Sequence, residues 1–142
     1  VIEGWCFGAE PQFENQLITP VNELERLKDP DGTCRRYINN ALATSYPKLF
    51  KMAHSTIMLR VPDFDSVFEW RLEQEKKLIE KLNPTQDGLV GMSVMSREEI
   101  FEFIQSFQRI TEACIEKMPA KVNHLLLLDP QRKIIEYRSL NP

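Results

Sequence analysis

Residues 122–129 read "VNHLLLLD" and residues 54–61 read "HSTIMLRV". Both are short, their central runs "HLLLL" and "TIMLRV" are nearly all apolar, and Pro62 closes the second. A strand with one wet face alternates polar and apolar residues. A run without alternation predicts a strand covered on both faces, as in a parallel α/β sheet. Parallel neighbours need long right-handed crossovers, usually helical. The stretch between the two runs offers such helices.

From Asp63 a helix is predicted to about Leu82, with Phe64, Phe68, Leu72, Ile79 and Leu82 as its apolar stripe. "NPTQDGLVGM" (83–92) reads as a loop. "SREE" (96–99) is a capping box, in which Ser96 and Glu99 satisfy each other's backbone N–H groups. The helix it opens carries Ile100, Phe103, Ile104, Phe107, Ile110, Cys114, Ile115 and Met118 at helical spacing. Arg109 falls off that stripe and reads as part of a solvated face. After the "DPQRK" turn, "KIIEYRSL" (133–140) predicts a last short strand.

Upstream, "TCRRYINNALATSYPKLF" (33–50) has helical spacing, and Pro47 ends or kinks it. Residues 5–32 read as a long loop with one short helix near Pro20 to Leu27. Val1 and Ile2 read as the end of a strand that places Glu3 at its mouth. The order is strand end, helices, strand, helix, helix, strand, strand: one domain of α/β class with a mostly parallel sheet.

The chain has 142 residues, 42% hydrophobic and 27% charged, with a formal charge of −3. That balance argues against an electrostatic grip on nucleic acid or on an anionic membrane. Three scattered cysteines, Cys6, Cys34 and Cys114, form no disulfide framework or zinc motif and point to a reducing, cytoplasmic setting. His54 and His124 are isolated and read as structural.

Several residues carry candidate chemistry. A carboxylate at a strand end, Glu3, suits Mg²⁺ or proton abstraction from a hydroxyl, or it merely caps the next segment. Gly4 lets the backbone turn close to a ligand. In "DFDSVFEWRLEQEKKL" (63–78), Val67, Arg71, Gln74 and Leu78 share one helix face. Arg71 can fork onto phosphate oxygens or pair with Glu75. Arg35 and Arg36 stand in a first helical turn, where positive charge is disfavoured, so they either bind an anion or are ordinary exposed arginines. Trp5 reads as a core residue. The chain contains neither G-x-x-x-x-G-K-[ST] nor G-x-G-x-x-G.

Four blocks in order, "VIEGWCFGAEPQ", "PVNELERLKDPDGTCRRYIN", "FEWRLEQE" and "MSREEIFEFIQSFQRIT", resemble the C-terminal half of D-glycerate 3-kinase-like P-loop kinases, a group that includes uridine kinase and phosphoribulokinase. The resemblance implies part of a three-layer P-loop kinase fold that lacks the N-terminal phosphate-loop strand. It implies ATP and Mg²⁺ as cofactors and a small hydroxy acid such as D-glycerate as acceptor. Glu3 becomes the acid near Mg²⁺ and the acceptor hydroxyl, and Gly4 and Trp5 border the acceptor pocket. Arg71, with Gln74, becomes a lid arginine on the transferring phosphoryl group. Arg109 matches a recurring family arginine. Arg35 and Arg36 face the acidic acceptor, and the loop after Asp129 approaches the adenine. The chain alone is then expected to be inactive, its partner being the phosphate-loop half. An exposed edge at "VIEG" or "TIMLRV" is expected to drive self-association. The alternative is a nucleotide-binding or interaction protein of the same fold without turnover.

Overall fold

A computed structural model describes residues 1–82 and 94–140. The predicted loop at 83–92 lies outside the described residues. Six α-helices and three strands follow in the order α1 (Glu14–Ile18), α2 (Glu23–Lys28), α3 (Thr33–Thr44), α4 (Tyr46–Phe50), β1 (Ile57–Arg60), α5 (Phe64–Leu82), α6 (Arg97–Lys117), β2 (His124–Leu128) and β3 (Ile134–Ser139). A single 3-10 turn, Met118–Ala120, leads from α6 into β2.

The long helices start where side chains take up their first free N–H groups. Ser96 Oγ accepts from Glu99 N at 3.2 Å, and the Glu99 carboxylate accepts from Ser96 N at 2.7 Å, so the capping box forms as read. At the head of α5, Asp63 accepts from both Ser66 N and Ser66 Oγ. At α3 the capping carboxylate is Asp29, which accepts from Cys34 N and Arg35 N. It does so across a turn that only Gly32 suits. Gly32 has φ of 72°, and a Cβ there would come within 2.9 Å of the Arg35 guanidinium carbon. The helical pattern of 33–50 breaks at Ser45, and Pro47 sits in the first turn of α4, where its missing N–H costs nothing. Residues 5–32 hold two short helices rather than one.

β1 and β2 pair in parallel, Ile57 opposite His124, and the α5–α6 stretch makes the crossover. β2 and β3 pair antiparallel. The sheet is therefore mixed, not mostly parallel. Five residues separate β2 from β3, too few for a crossover, so the chain can only turn back on itself. Val1, Ile2 and Glu3 are exposed and form no strand, because no neighbouring backbone pairs with them among the described residues. β1 is not covered on both faces: Ile57 and Leu59 are 67% and 61% exposed.

The core is three small clusters strung along α6. Ile100 and Ile104 pack with Leu72 of α5. Cys114 packs with Ala9 and Leu42. Met118, just past the helix, touches both that cluster and the one under the sheet, where Met58, Val122 and Leu125 are buried. Burial pushes the Cys114 thiol up to about 11, with Cys6 adding to the effect, so it stays protonated at neutral pH.

Candidate functional site

The backbone after Glu3 turns twice, with Phe7 N donating to Gly4 O and Ala9 N to Cys6 O. This lays Trp5 against α6. Trp5 is 51% exposed and meets Phe107 edge-on, with ring centroids 5.0 Å apart, so it is not the core residue its composition suggested. Phe107 in turn meets Phe103 at 5.0 Å, and the Arg71 guanidinium lies 6.0 Å from the Phe103 ring centre. Such edge and cation contacts contribute of order 0.5–1.5 kcal/mol each. A ladder of Trp5, Phe107, Phe103 and Arg71 thus brings the first residues of the chain and the fifth helix onto one surface. Gly4 has open space beside its Cα, with nothing within 4 Å of an added Cβ, so the fold itself does not demand glycine there.

Among the described residues, the hydrogen-bond and ion-pair partners of Arg71 are all local. It pairs with Glu75 one turn on, and Nη1 donates to Gln74 Oε1 at 3.1 Å. The Glu75 carboxylate is buried, and its second oxygen meets no donor among the described residues. Arg71 itself keeps about a quarter of its side chain in solvent. The pairing with Glu75 expected from the sequence forms, and among the described residues three of the five N–H groups of Arg71 meet no acceptor.

Arg109 is the opposite case. It is not on a solvated face but buried, and its five N–H groups all have acceptors. Nε and Nη2 fork onto Glu25 at 2.7 and 2.6 Å. Nη1 donates to Gln12 Oε1 and Gln16 O, and Nη2 also to Thr19 O. Helical periodicity could not show this, because the partners lie more than eighty residues away. Arg35 is also buried, correcting its reading as an exposed first-turn arginine. Its Nε donates to Leu17 O, its Nη1 to Asp29 O and Oδ2, and its Nη2 to Ile18 O. Arg36 is half-exposed and bonds Glu14 and Asp31 O.

These arginines set the charge of their partners. Burial alone raises the Glu25 carboxyl, but bonds from Arg109 and Val21 N outweigh it and hold Glu25 below the usual carboxylate range. Asp29 follows the same balance: burial raises it, while the first-turn N–H groups of Cys34 and Arg35 and the Arg35 charge bring it lower. A cavity of about 40 Å³ lies between Arg35, Arg109 and Leu42, away from the aromatic ladder.

The β2–β3 turn is held from two sides. Asp129 Oδ1 accepts from Lys133 N at 2.8 Å, closing its own turn. Trp70 Nε1 donates to Pro130 O at 2.7 Å, and Arg132 pairs with Glu73 with its guanidinium 5.8 Å from the Trp70 ring centre. Trp70 and Arg132 were not singled out in the sequence. Trp70 directly precedes Arg71, and that adjacency was the available signal. His54 is exposed, and His124 Nδ1 lies 2.9 Å from Tyr137 Oη. No cluster of three metal-ligating side chains occurs among the described residues. No helix among them is long and apolar enough to cross a membrane.

No model of a protein family matches the chain. Over 107 residues, 75% of this chain, it is 26% identical to the uncharacterised kinase mug58 of Schizosaccharomyces pombe, of which it spans 34%. Its structure superposes on D-glycerate 3-kinase from Cryptococcus neoformans with a TM-score of 0.69 and 19% identity, covering 96% of this chain and 48% of that one. The chain thus has the fold of about half of a D-glycerate 3-kinase, and the resemblance to glycerate 3-kinase-like kinases read from its residues stands.

Proposed function

We propose that this chain is the acceptor and lid part of an ATP-dependent kinase that transfers the γ-phosphoryl group to a hydroxyl of a small acid such as D-glycerate. The aromatic ladder carries the reading. It supports a single surface on which the Glu3–Gly4–Trp5 turn and an arginine with unspent donors stand together. Phosphoryl transfer asks the protein mainly to position groups and neutralise charge. Arg71 then offers its fork to the transferring phosphoryl oxygens, oriented by Gln74 and by the Phe103 ring beneath it. Glu3 accepts the proton of the acceptor hydroxyl, and Gly4 and Trp5 border the acceptor. Arg36 is the half-exposed member of the arginine pair and meets the acceptor carboxylate. Arg35 and Arg109 serve the fold. The hairpin at Asp129 approaches the adenine.

Mg²⁺ in kinases is held by one or two carboxylates plus phosphates and waters, so the single exposed carboxylate of Glu3 fits that demand. When bound, the ion neutralises phosphate charge. The 142 residues contain no G-x-x-x-x-G-K-[ST], so in this reading another polypeptide segment cradles the phosphates and the chain alone is inactive.

The test is product formation from ATP, Mg²⁺ and D-glycerate by the protein as its natural source makes it. Phosphoglycerate formation that falls about a hundredfold in Arg71→Lys supports the reading. ATP binding without turnover toward D-glycerate or other small hydroxy acids supports a nucleotide-binding protein of the same fold instead.

A further inference from the structure

Phe64, Phe68, Leu72 and Ile79 follow one another along α5 at steps of four, four and seven, and Glu75 fills the gap in that stripe. The stripe packs on α6: Leu72 is buried with Ile100 and Ile104, and Phe64 and Phe68 lean on the same cluster. A carboxylate thus occupies a core position and is only 5% exposed. Its partner is Arg71, at Oε1. Oε2 is buried and meets no donor among the described residues. Glu25 is the contrast, since both its oxygens take N–H groups, from Arg109 and from Val21. Stability does not account for Glu75. A buried carboxylate gives up its hydration, and an apolar side chain of similar volume would fit the stripe at less cost. Arginine four residues ahead of glutamate is also the weaker order for such a pair on a helix. A buried, half-satisfied charge that the packing does not require calls for another explanation.

We infer that Glu75 is a positioning residue for phosphoryl transfer that acts through Arg71, an inference that rests on the role proposed for Arg71. The guanidinium is held at three points. Glu75 Oε1 takes Nη2, Gln74 Oε1 accepts from Nη1 at 3.1 Å, and the Phe103 ring centre lies 6.0 Å away. The Arg71 side chain still keeps 24% of its surface in solvent. Of the three holds, only Glu75 is both charged and enclosed. An exposed pair on the same helix, Lys77 with Glu73, is screened by water and free to open. Glu75 has no such freedom, because its side chain is shut into the α5–α6 contact, where the attraction is less screened. A fixed anion beside Arg71 keeps the guanidinium in one place before the phosphoryl group arrives. The ordering is then complete when charge develops on that group. Glutamine at this position would keep the shape and one acceptor but lose the charge that holds Arg71.

The test is Glu75→Gln in the protein as its natural source makes it, assayed with ATP, Mg²⁺ and D-glycerate. We expect kcat to fall about tenfold or more with the KM for ATP unchanged. The thermal midpoint should stay within about 3 °C of the unmodified protein's. A kcat equal to that of the unmodified protein would overturn the inference and leave the proposed reaction standing. A midpoint many degrees lower, or a failure to fold, would make Glu75 a structural residue and overturn it equally. NMR of the 15N-labelled arginines supplies a readout that needs no turnover, with the Arg71 signal identified by its absence from Arg71→Lys. A held guanidinium gives a slowly exchanging Nε–H signal, expected in the unmodified protein and lost in Glu75→Gln. If the unmodified protein transfers no phosphoryl group, the proposed reaction fails and this signal decides alone. A signal held in one protein and lost in the other supports Glu75 as the residue that positions Arg71. The same signal in both proteins overturns it.

Discussion

Arg109 and Arg71 sit on neighbouring long helices, each beside a glutamate, and they do different work. Arg109 has all five donors engaged, with partners between residues 12 and 25. Arg71 has partners three and four residues along its own helix. The first arginine cannot turn to a ligand without releasing the segment it holds. The second can. A guanidinium whose bonds span the chain belongs to the fold, whereas one with local bonds and open donors remains available for chemistry.

The comparison breaks most directly at Arg109. Arg109→Met should cost about 3 kcal/mol in urea unfolding, because it leaves the largely covered Glu25 without its cation. A cost as small as that of a surface substitution would mean the lock is not holding the 12–25 segment. Arg71→Lys sharpens the contrast from the other side. Lysine keeps a cation beside Glu75 but loses the fork, so stability should shift by no more than about 1 kcal/mol. Turnover, measured in the same preparation, should fall about a hundredfold.

Acid gives a graded version of the first test. Glu25 and Asp29 are held below their ordinary values of 4.5 and 3.8, so each stabilises the fold above those values and loses that contribution as pH falls through its lower folded value. The urea midpoint should therefore drop between about pH 5 and about pH 3, and Arg109→Met should flatten the part owed to Glu25. A midpoint independent of pH over that range would count against the paired geometry. The smallest effect is at the head of α6, which carries both Phe103 and Arg109. Ser96→Ala should cost about 1 kcal/mol and leave turnover unchanged.

Much of this was legible in the residues. The capping box at Ser96 was readable because it is a four-residue pattern whose partners lie within one turn. The stripe of α6 was readable for the same local reason, and so was the helix from Asp63. The burial of Arg35 and Arg109 was not, since periodicity reports which residues share a face and not what arrives to cover it. The segment 12–29, with its short α1 and α2, brings Glu25, Gln12 and six carbonyls against α3 and α6, and no local pattern in 12–29 announces that. Trp5 failed in the other direction: an aromatic residue expected inside stands at the surface against Phe107.

Local physics thus determined the long helices, the apolar strands β1 and β2, the caps and the order of the blocks that resemble a kinase, because each depends on neighbours within a few residues. Tertiary structure alone decided the mixed sheet, the arginine lock, and the meeting of Trp5 with Arg71. Those features depend on contacts between segments far apart in the chain, and a side chain's share of solvent or hydrogen bonds exists only once the distant segment has arrived.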